Sequence, residues 1–182
     1  MKIDRLTPFH LEAWLEFFDS RAFADHHDWS QCYCTFYHYP RFKEAGAEKK
    51  SKRSYAQWLV THKKMEGYLV FDAEKAIAWC NAGNKGNYPK LAKEDEDTKG
   101  IKSIVCFLVQ REYRKKGIAR SLLKRIIEDS REDGTKTIEA YPDLNATDEF
   151  GNYHGPLKMY LEEGFVVVKT GRVQKVVLDI QR

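Results

Sequence analysis

Apolar residues recur with two periods along this chain, and the points where one period gives way to the other divide it into elements. The helical period is strongest from Ile118 to Asp133, where Ile118, Ala119, Leu122, Leu123, Ile126 and Ile127 form one stripe that Gly134 ends. The same period places Leu11, Trp14, Leu15 and Phe18 on one face behind Thr7-Pro8, a capping residue followed by proline at the first helical position. Another helix carries Tyr55, Trp58, Leu59 and His62 on its apolar face before Gly67. A short one opens at Gly155-Pro156, bears Leu157, Tyr160 and Leu161, and stops at Gly164.

Between them lie β-rich runs: residues 2–6, Tyr68 to Phe71, Ala76 to Asn81, Ile101 to Val109, Thr135 to Tyr141, Phe165 to Thr170 and Val173 to Ile180. Asp72 to Lys75 reads as a hairpin turn, and Pro142 stops the fifth strand. Ile101 to Val109 is the most apolar run and belongs in the middle of a sheet. Asp25 to Pro40 has no helical period and reads as a loop with extended stretches. Lys43 to Arg53 is a charged, solvated stretch leading into the second helix. Gly83 to Gly100, with its acidic cluster Glu94 to Asp97, and the polar residues 143–154 read as surface connections. This order predicts a mixed sheet with helices on its faces, in the α/β or α+β class.

A length of 182 residues suits one domain spanning 1–182. With 32% charged residues and a mean hydropathy of −0.64 the chain is not an integral membrane protein, and without an apolar leader near Met1 the expected compartment is the cytoplasm. A formal charge of +4 is too small for a dedicated nucleic-acid binder, and the basic stretches Lys49 to Arg53 and Arg111 to Lys116 carry no recognition motif. The excess fits an anionic small ligand. Four cysteines in a reducing compartment read as thiols, and Cys32-x-Cys34 with His38 fits zinc spacing poorly, so no metal is expected.

The chemistry concentrates between Ile104 and Arg120, where a buried strand turns through a basic, glycine-containing loop into the strongest helix. Amides at that helix start, its positive dipole end, Lys115, Lys116 and Arg120 all favour phosphate oxygens, and Gly117 permits close backbone approach. The loop is neither a Walker A motif nor a dinucleotide fingerprint.

Arg114-Lys-Lys-Gly-Ile-Ala119 resembles the [QR]-x-x-G-x-[GA] pyrophosphate loop of the GNAT superfamily of acyl-CoA-dependent N-acyltransferases. Phe107-Leu108-Val109, Tyr113, Leu122-Leu123 and Leu157 to Phe165 match the same family in the same order. The resemblance implies a mostly antiparallel sheet of six or seven strands with about four helices, splayed at the cofactor site. It implies acetyl-CoA as co-substrate and transfer to a primary amine of a small molecule or protein by direct attack in a ternary complex. The alternative is a non-catalytic acyl-CoA-binding domain, and a homodimer stays open.

On this resemblance Phe107, Leu108 and Val109 offer backbone groups to the pantetheine arm, and the loop from Arg114 through Lys115, Lys116, Gly117, Ile118, Ala119 and Arg120 holds the pyrophosphate. Tyr160 matches a tyrosine that protonates the leaving thiolate, and Glu139 a glutamate that accepts the amine proton. Read without the family, Tyr160 is one more aromatic beside Leu157 and Leu161, and Glu139 faces solvent or a lysine. A subgroup with unassigned substrates shows a Cys-x-Cys segment, a Trp-Cys-Asn strand end and a Glu-x-Tyr-Pro strand end. Here Trp29, Cys32, Tyr33 and Cys34 represent the first, with Tyr37 close behind, Trp79 and Asn81 the second, and Tyr141 the third. These eight are the candidate acceptor-binding residues, with plain core packing as the other reading of the thiols. The loop from Asp143 to Tyr153 is longer than the common GNAT pattern.

Overall fold

The computed structural model describes residues 1–40, 51–93, 95–146 and 151–181. The charged stretch from Lys43 as far as residue 50, Glu94 of the acidic cluster and residues 147–150 of the long loop lie outside the described residues.

The described elements, in order, are β1 (Lys2–Arg5), α1 (Leu11–Ser20), α2 (Lys52–Thr61), β2 (Gly67–Asp72), β3 (Lys75–Asn84), β4 (Ile101–Val109), α3 (Ile118–Glu132), β5 (Thr137–Ala140), α4 (Leu157–Glu162), β6 (Val166–Lys169) and β7 (Lys175–Asp179). The strands form one seven-stranded sheet in the order β1-β2-β3-β4-β5-β7-β6, with β4 and β5 its parallel pair. The mixed α/β architecture with a mostly antiparallel sheet and four helices matches the expectation.

Each face of the sheet carries its own core. Trp14, Leu15, Phe17 and Phe18 of α1 and Ala56, Leu59 and Val60 of α2 pack one face over Trp79, Cys106 and Leu108. The α3 stripe and Met159 and Tyr160 of α4 pack the other, over Cys80, Ile104 and Phe107. The α3 stripe reaches the interior because residues three and four apart share one side of a helix.

Two features of β4 set the site. Asn81 of β3 opposes Cys106 and Ala82 opposes Ile104, so Val105 is an extra, bulged residue, and Val105 and Cys106 both face the α1 side. Pairing with β5 covers only Ile101 to Ile104 opposite Thr137 to Ala140. Beyond Ala140 the chain stays with β7 instead, through Gln174 N to Pro142 O and Leu144 N to Arg172 O, both 2.9 Å. The β4 edge from Val105 to Val109 therefore lacks a strand partner on that side among the described residues.

Residues 25–40 depart from the expected extended stretches. They curl through 3₁₀ turns at His27–Trp29 and Phe36–His38, and Tyr33 and Cys34 hold left-handed φ values of 42° and 47°. Non-glycine residues keep that conformation only where surroundings over-determine it. Here the Tyr33 hydroxyl donates to Asp19 at 2.5 Å, and the Cys34 carbonyl accepts from Asn81 Nδ2 at 3.2 Å.

Candidate active site

The phosphate-side features assemble at the end of β4. Gly117 caps α3 with φ 79°, and the first helical hydrogen bond runs from Ser121 N to Gly117 O at 2.9 Å. The amides of Ile118, Ala119 and Arg120 precede that bond and have no intrahelical acceptor, which is the arrangement that receives an anion. A Cβ built on Gly117 meets nothing within 4 Å, so open space lies before this turn. Lys115 and Lys116 are exposed beside it.

Two side chains of the motif have other partners. Arg114 donates to both Asp25 oxygens, at 2.6 and 3.0 Å, and through Nε to Val109 O at 3.0 Å. The guanidinium holds the Asp25 carboxyl below the usual carboxylate range. Its part is to fasten the loop to the end of β4. Arg120 pairs with Glu162 and lies 3.7 Å from Glu163, tying α3 to α4.

The alternation of β4 decides which backbone groups are open. Gln110 N donates across to Ile77 O at 2.9 Å, and hydrogen-bonded pairs recur every second residue, so Leu108 turns its backbone to Trp79. Phe107 and Val109 turn theirs toward the vacated edge. The Val109 carbonyl is taken by Arg114, which leaves the Val109 amide and both backbone groups of Phe107. Of the three strand residues expected to face the cofactor arm, Leu108 contributes its side chain to the cleft below.

That cleft, of about 360 Å³, opens on the α1 side with Val105, Cys106 and Leu108 among its lining. Of the eight candidate acceptor-binding residues, Trp29, Cys32, Cys34, Tyr37 and Asn81 are among its lining, and Tyr33, Trp79 and Tyr141 are not. Tyr33 is buried on Phe18, Trp79 is fully buried edge-on to Trp14, and Tyr141 donates to Glu139 at 2.6 Å. Asn81 is saturated, accepting from Tyr88 Oη at 2.7 Å while its amide serves Cys34 O, and so holds the thiol segment on β3. The Cys34 thiol lies in hydrogen-bonding contact with Cys32 and Cys106, and burial pushes it well up. All four cysteines are free thiols.

Sequence reasoning missed Phe23, Phe36, Tyr39, Cys106 and Tyr153 in the lining, and His154 behind it. His154 is buried with Nε2 3.1 Å from the Tyr37 hydroxyl, and burial pushes its pKa to about 4 against the pull of Asp143 and the Val105 backbone. An aromatic pair between Gly151 and Gly155, in an otherwise polar loop, was the available signal.

The two residues expected to move protons sit apart from the cleft lining. Tyr160 is fully buried and donates to His154 O at 2.5 Å. Its hydroxyl would lie 3.2 Å from a Cβ on Gly155, and that Cβ would lie 3.3 Å from the Phe107 ring, so one glycine separates the phenol from β4. Burial keeps its pKa well above 10. Glu139 is buried among Lys85 Nζ at 3.0 Å, Lys175 Nζ and the Tyr141 hydroxyl. Burial works to raise its pKa, but those three donors override it and hold it below the usual carboxylate range.

Among the described residues no group of three or more His, Cys, Asp or Glu side chains is arranged to hold a metal, and no helix is long and apolar enough to cross a membrane.

A seven-stranded, mostly antiparallel sheet whose parallel neighbours part beside a glycine-capped helix start is the framework of the site. Residues 6–150 match the Acetyltransferase (GNAT) family, and the chain belongs to it. Among solved structures it is similar to an N-acetyltransferase from Staphylococcus aureus Mu50, with 15% identity, a TM-score of 0.58 and 98% of each chain covered. It is also similar to the PaiA N-acetyltransferase from Thermoplasma acidophilum in complex with coenzyme A, with 14% identity, a TM-score of 0.51 and 98% and 99% covered. A third is YncA from Salmonella typhimurium with acetyl-CoA, with 13% identity, a TM-score of 0.54 and 98% and 93% covered. No curated protein matches the chain in sequence.

Proposed function

We propose that the chain transfers an acetyl group from acetyl-CoA to a primary amine by direct attack in a ternary complex. The observation that carries this reading is the continuity of β4, whose open edge from Val105 to Val109 joins the α3 helix start to the floor of the cleft. The residues fit the co-substrate: the amides of Ile118, Ala119 and Arg120 with Lys115 and Lys116 would receive its pyrophosphate, and Phe107 and Val109 its amide-bearing arm. When bound, acetyl-CoA would supply the activated thioester.

The chain's own residues then have three tasks. Aromatic rings and thiols line the cleft, and an amine leaving water for such a lining favours its neutral, nucleophilic form without a carboxylate beside it. Tyr160 keeps its proton at neutral pH and is our assignment for protonating the leaving thiolate, across Gly155 from Phe107. Glu139 fixes Lys85 and Lys175 beneath the β4–β5 fork; as all its donors are in place, we assign it support of the fork ahead of proton acceptance.

Melting the protein with ligands tests the reading. A ligand that binds only the folded state stabilises it by about 2.7 kcal/mol at a hundredfold excess over Kd. CoA and acetyl-CoA are expected to raise the melting temperature, with NAD and ATP doing markedly less, and an amine library is expected to release thiol from acetyl-CoA. Equal shifts with all nucleotides, or none with CoA, would overturn the cofactor assignment. Binding without thiol release from any amine would leave a non-catalytic acyl-CoA-binding domain.

A further inference from the structure

We infer that the acceptor amine is carried on a flat, apolar, ring-bearing body that enters the cleft alone, rather than being a polyamine, an aminosugar or a lysine side chain. The inference rests on the acetyl-transfer reading and names its acceptor.

Shape and chemistry point the same way. The walls are the rings of Trp29, Phe36, Tyr37 and Tyr153, set over the thiols and aliphatic groups of the floor. Trp29 and Tyr153 meet edge to face at 5.7 Å, and Phe36, with the Lys90 ammonium over one of its faces, meets Tyr37 edge to face at 5.1 Å, a set of rings at differing angles suited to edge and face contacts with a planar guest. A volume of about 360 Å³ stands at the small end of ligand clefts, which favours one or two rings over a peptide segment.

Several polar groups of the lining are already engaged within the protein, Thr35 Oγ1 with Cys32 O among them. Asn81 serves Tyr88 and Cys34 O, and the Tyr37 hydroxyl lies on His154. A hydroxyl-rich aminosugar would therefore bury donors and acceptors without partners, at about 1–3 kcal/mol each. A polyamine needs carboxylates at its own charge spacing. Among the described lining residues the charged groups are Asp28 and Lys52, one of each sign and both exposed at the rim. A single ammonium can be guided in by Asp28 and the ring faces, and then lose its proton as it is desolvated.

The test titrates phenethylamine, tryptamine, spermidine and α-blocked lysine calorimetrically into the CoA-saturated protein, and measures thiol release from acetyl-CoA with the same amines. The aryl amines are expected to bind at least tenfold more tightly and to show the higher kcat/KM. Phe36→Ala alters an exposed rim ring and leaves the core intact, and it should weaken aryl-amine binding by about 2–10-fold, the worth of one aromatic contact, with CoA affinity unchanged. Preference for spermidine or lysine, or no binding of aryl amines, would overturn the inference while acetyl transfer could stand. Tight aryl-amine binding without turnover would do the reverse, removing the transfer reading and keeping the ligand class.

Discussion

Removing one oxygen atom at Tyr160 separates the proton-donor assignment from a packing role. Tyr160→Phe keeps the ring and its edge-on contact with Phe165, at 5.2 Å, so no cavity forms. What disappears is the 2.5 Å bond to His154 O, inside a region where Tyr160 is wholly buried and His154 nearly so. A net hydrogen bond is worth about 1 kcal/mol, and a buried carbonyl left unpaired raises the loss to about 1–3 kcal/mol. For a chain of this size that lowers the melting temperature by about 2–10 °C. A packing role predicts this stability loss and nothing else.

A proton-donor role adds a kinetic signature, because the interaction matters mainly as the thiolate leaves. The variant's kcat should fall by roughly 100-fold or more while acetyl-CoA affinity barely changes. Pre-steady-state thiol release, measured well below the variant's melting temperature, isolates the chemical step. A variant with near wild-type kcat when chemistry limits the rate would reduce Tyr160 to a pin that holds the turn before α4.

Three further expectations follow from the geometry. Gly117→Trp puts a side chain at φ 79°, which costs about 1–2 kcal/mol, and fills the open space before the α3 amides, so the melting shift with CoA should vanish; an unchanged shift would remove the loop from the cofactor site. Glu139→Gln removes a carboxylate shared by Lys85 and Lys175, and because Lys85 keeps Glu96 and Lys175 reaches solvent, chemical denaturation should show a loss of about 1–3 kcal/mol, whereas a hundredfold fall in kcat at a temperature where the variant is folded would make Glu139 the base. His38 and His154 are buried with pKa values near 4, so the unfolded chain takes up protons below about 6.5 that the folded chain refuses until about 4. Stability should fall with falling pH across that window by up to about 1.4 kcal/mol per pH unit for each histidine, and denaturation curves that stay flat from pH 7 to 5 would refute this.

The elements with repeating patterns were legible before the structure. The α3 stripe, the apolar run of β4 and the glycine between them are local signals, since each depends on residues within a few positions of one another. The pyrophosphate-loop motif is of the same kind, which is why the β4–α3 turn and its open helix start could be read from a single stretch. What escaped depends on partners far apart in sequence. The loop motif places Arg114 at the cofactor, and its partner Asp25 stands 89 positions away. For Glu139 the sequence allows solvent or a lysine as well as the base role the resemblance implies, and cannot say which lysines, since Lys85 and Lys175 lie on other strands and turns. The curl at Tyr33-Cys34 carries no glycine to announce its left-handed backbone, and is enforced by Asp19 and Asn81 from α1 and β3.

The same distinction explains where the site lies. A strand in mid-sheet with unpaired amides is destabilising, and β4 accepts that state over only a few residues. Ile104 is its last residue paired to β5, and Val105 is the bulge that breaks register with β3. Pro142, unable to donate to a ladder, marks where the chain after β5 turns to β7 and leaves the β4 edge. Residues 151–154 then return beside β4, bringing His154 and, through its carbonyl, the Tyr160 hydroxyl. Pro142 thus stands where the fork opens, and residues 151–154 return aromatic side chains to its cleft side. A chain that closed the fork would gain hydrogen bonds and cover the β4 edge that runs from the α3 amides to the cleft.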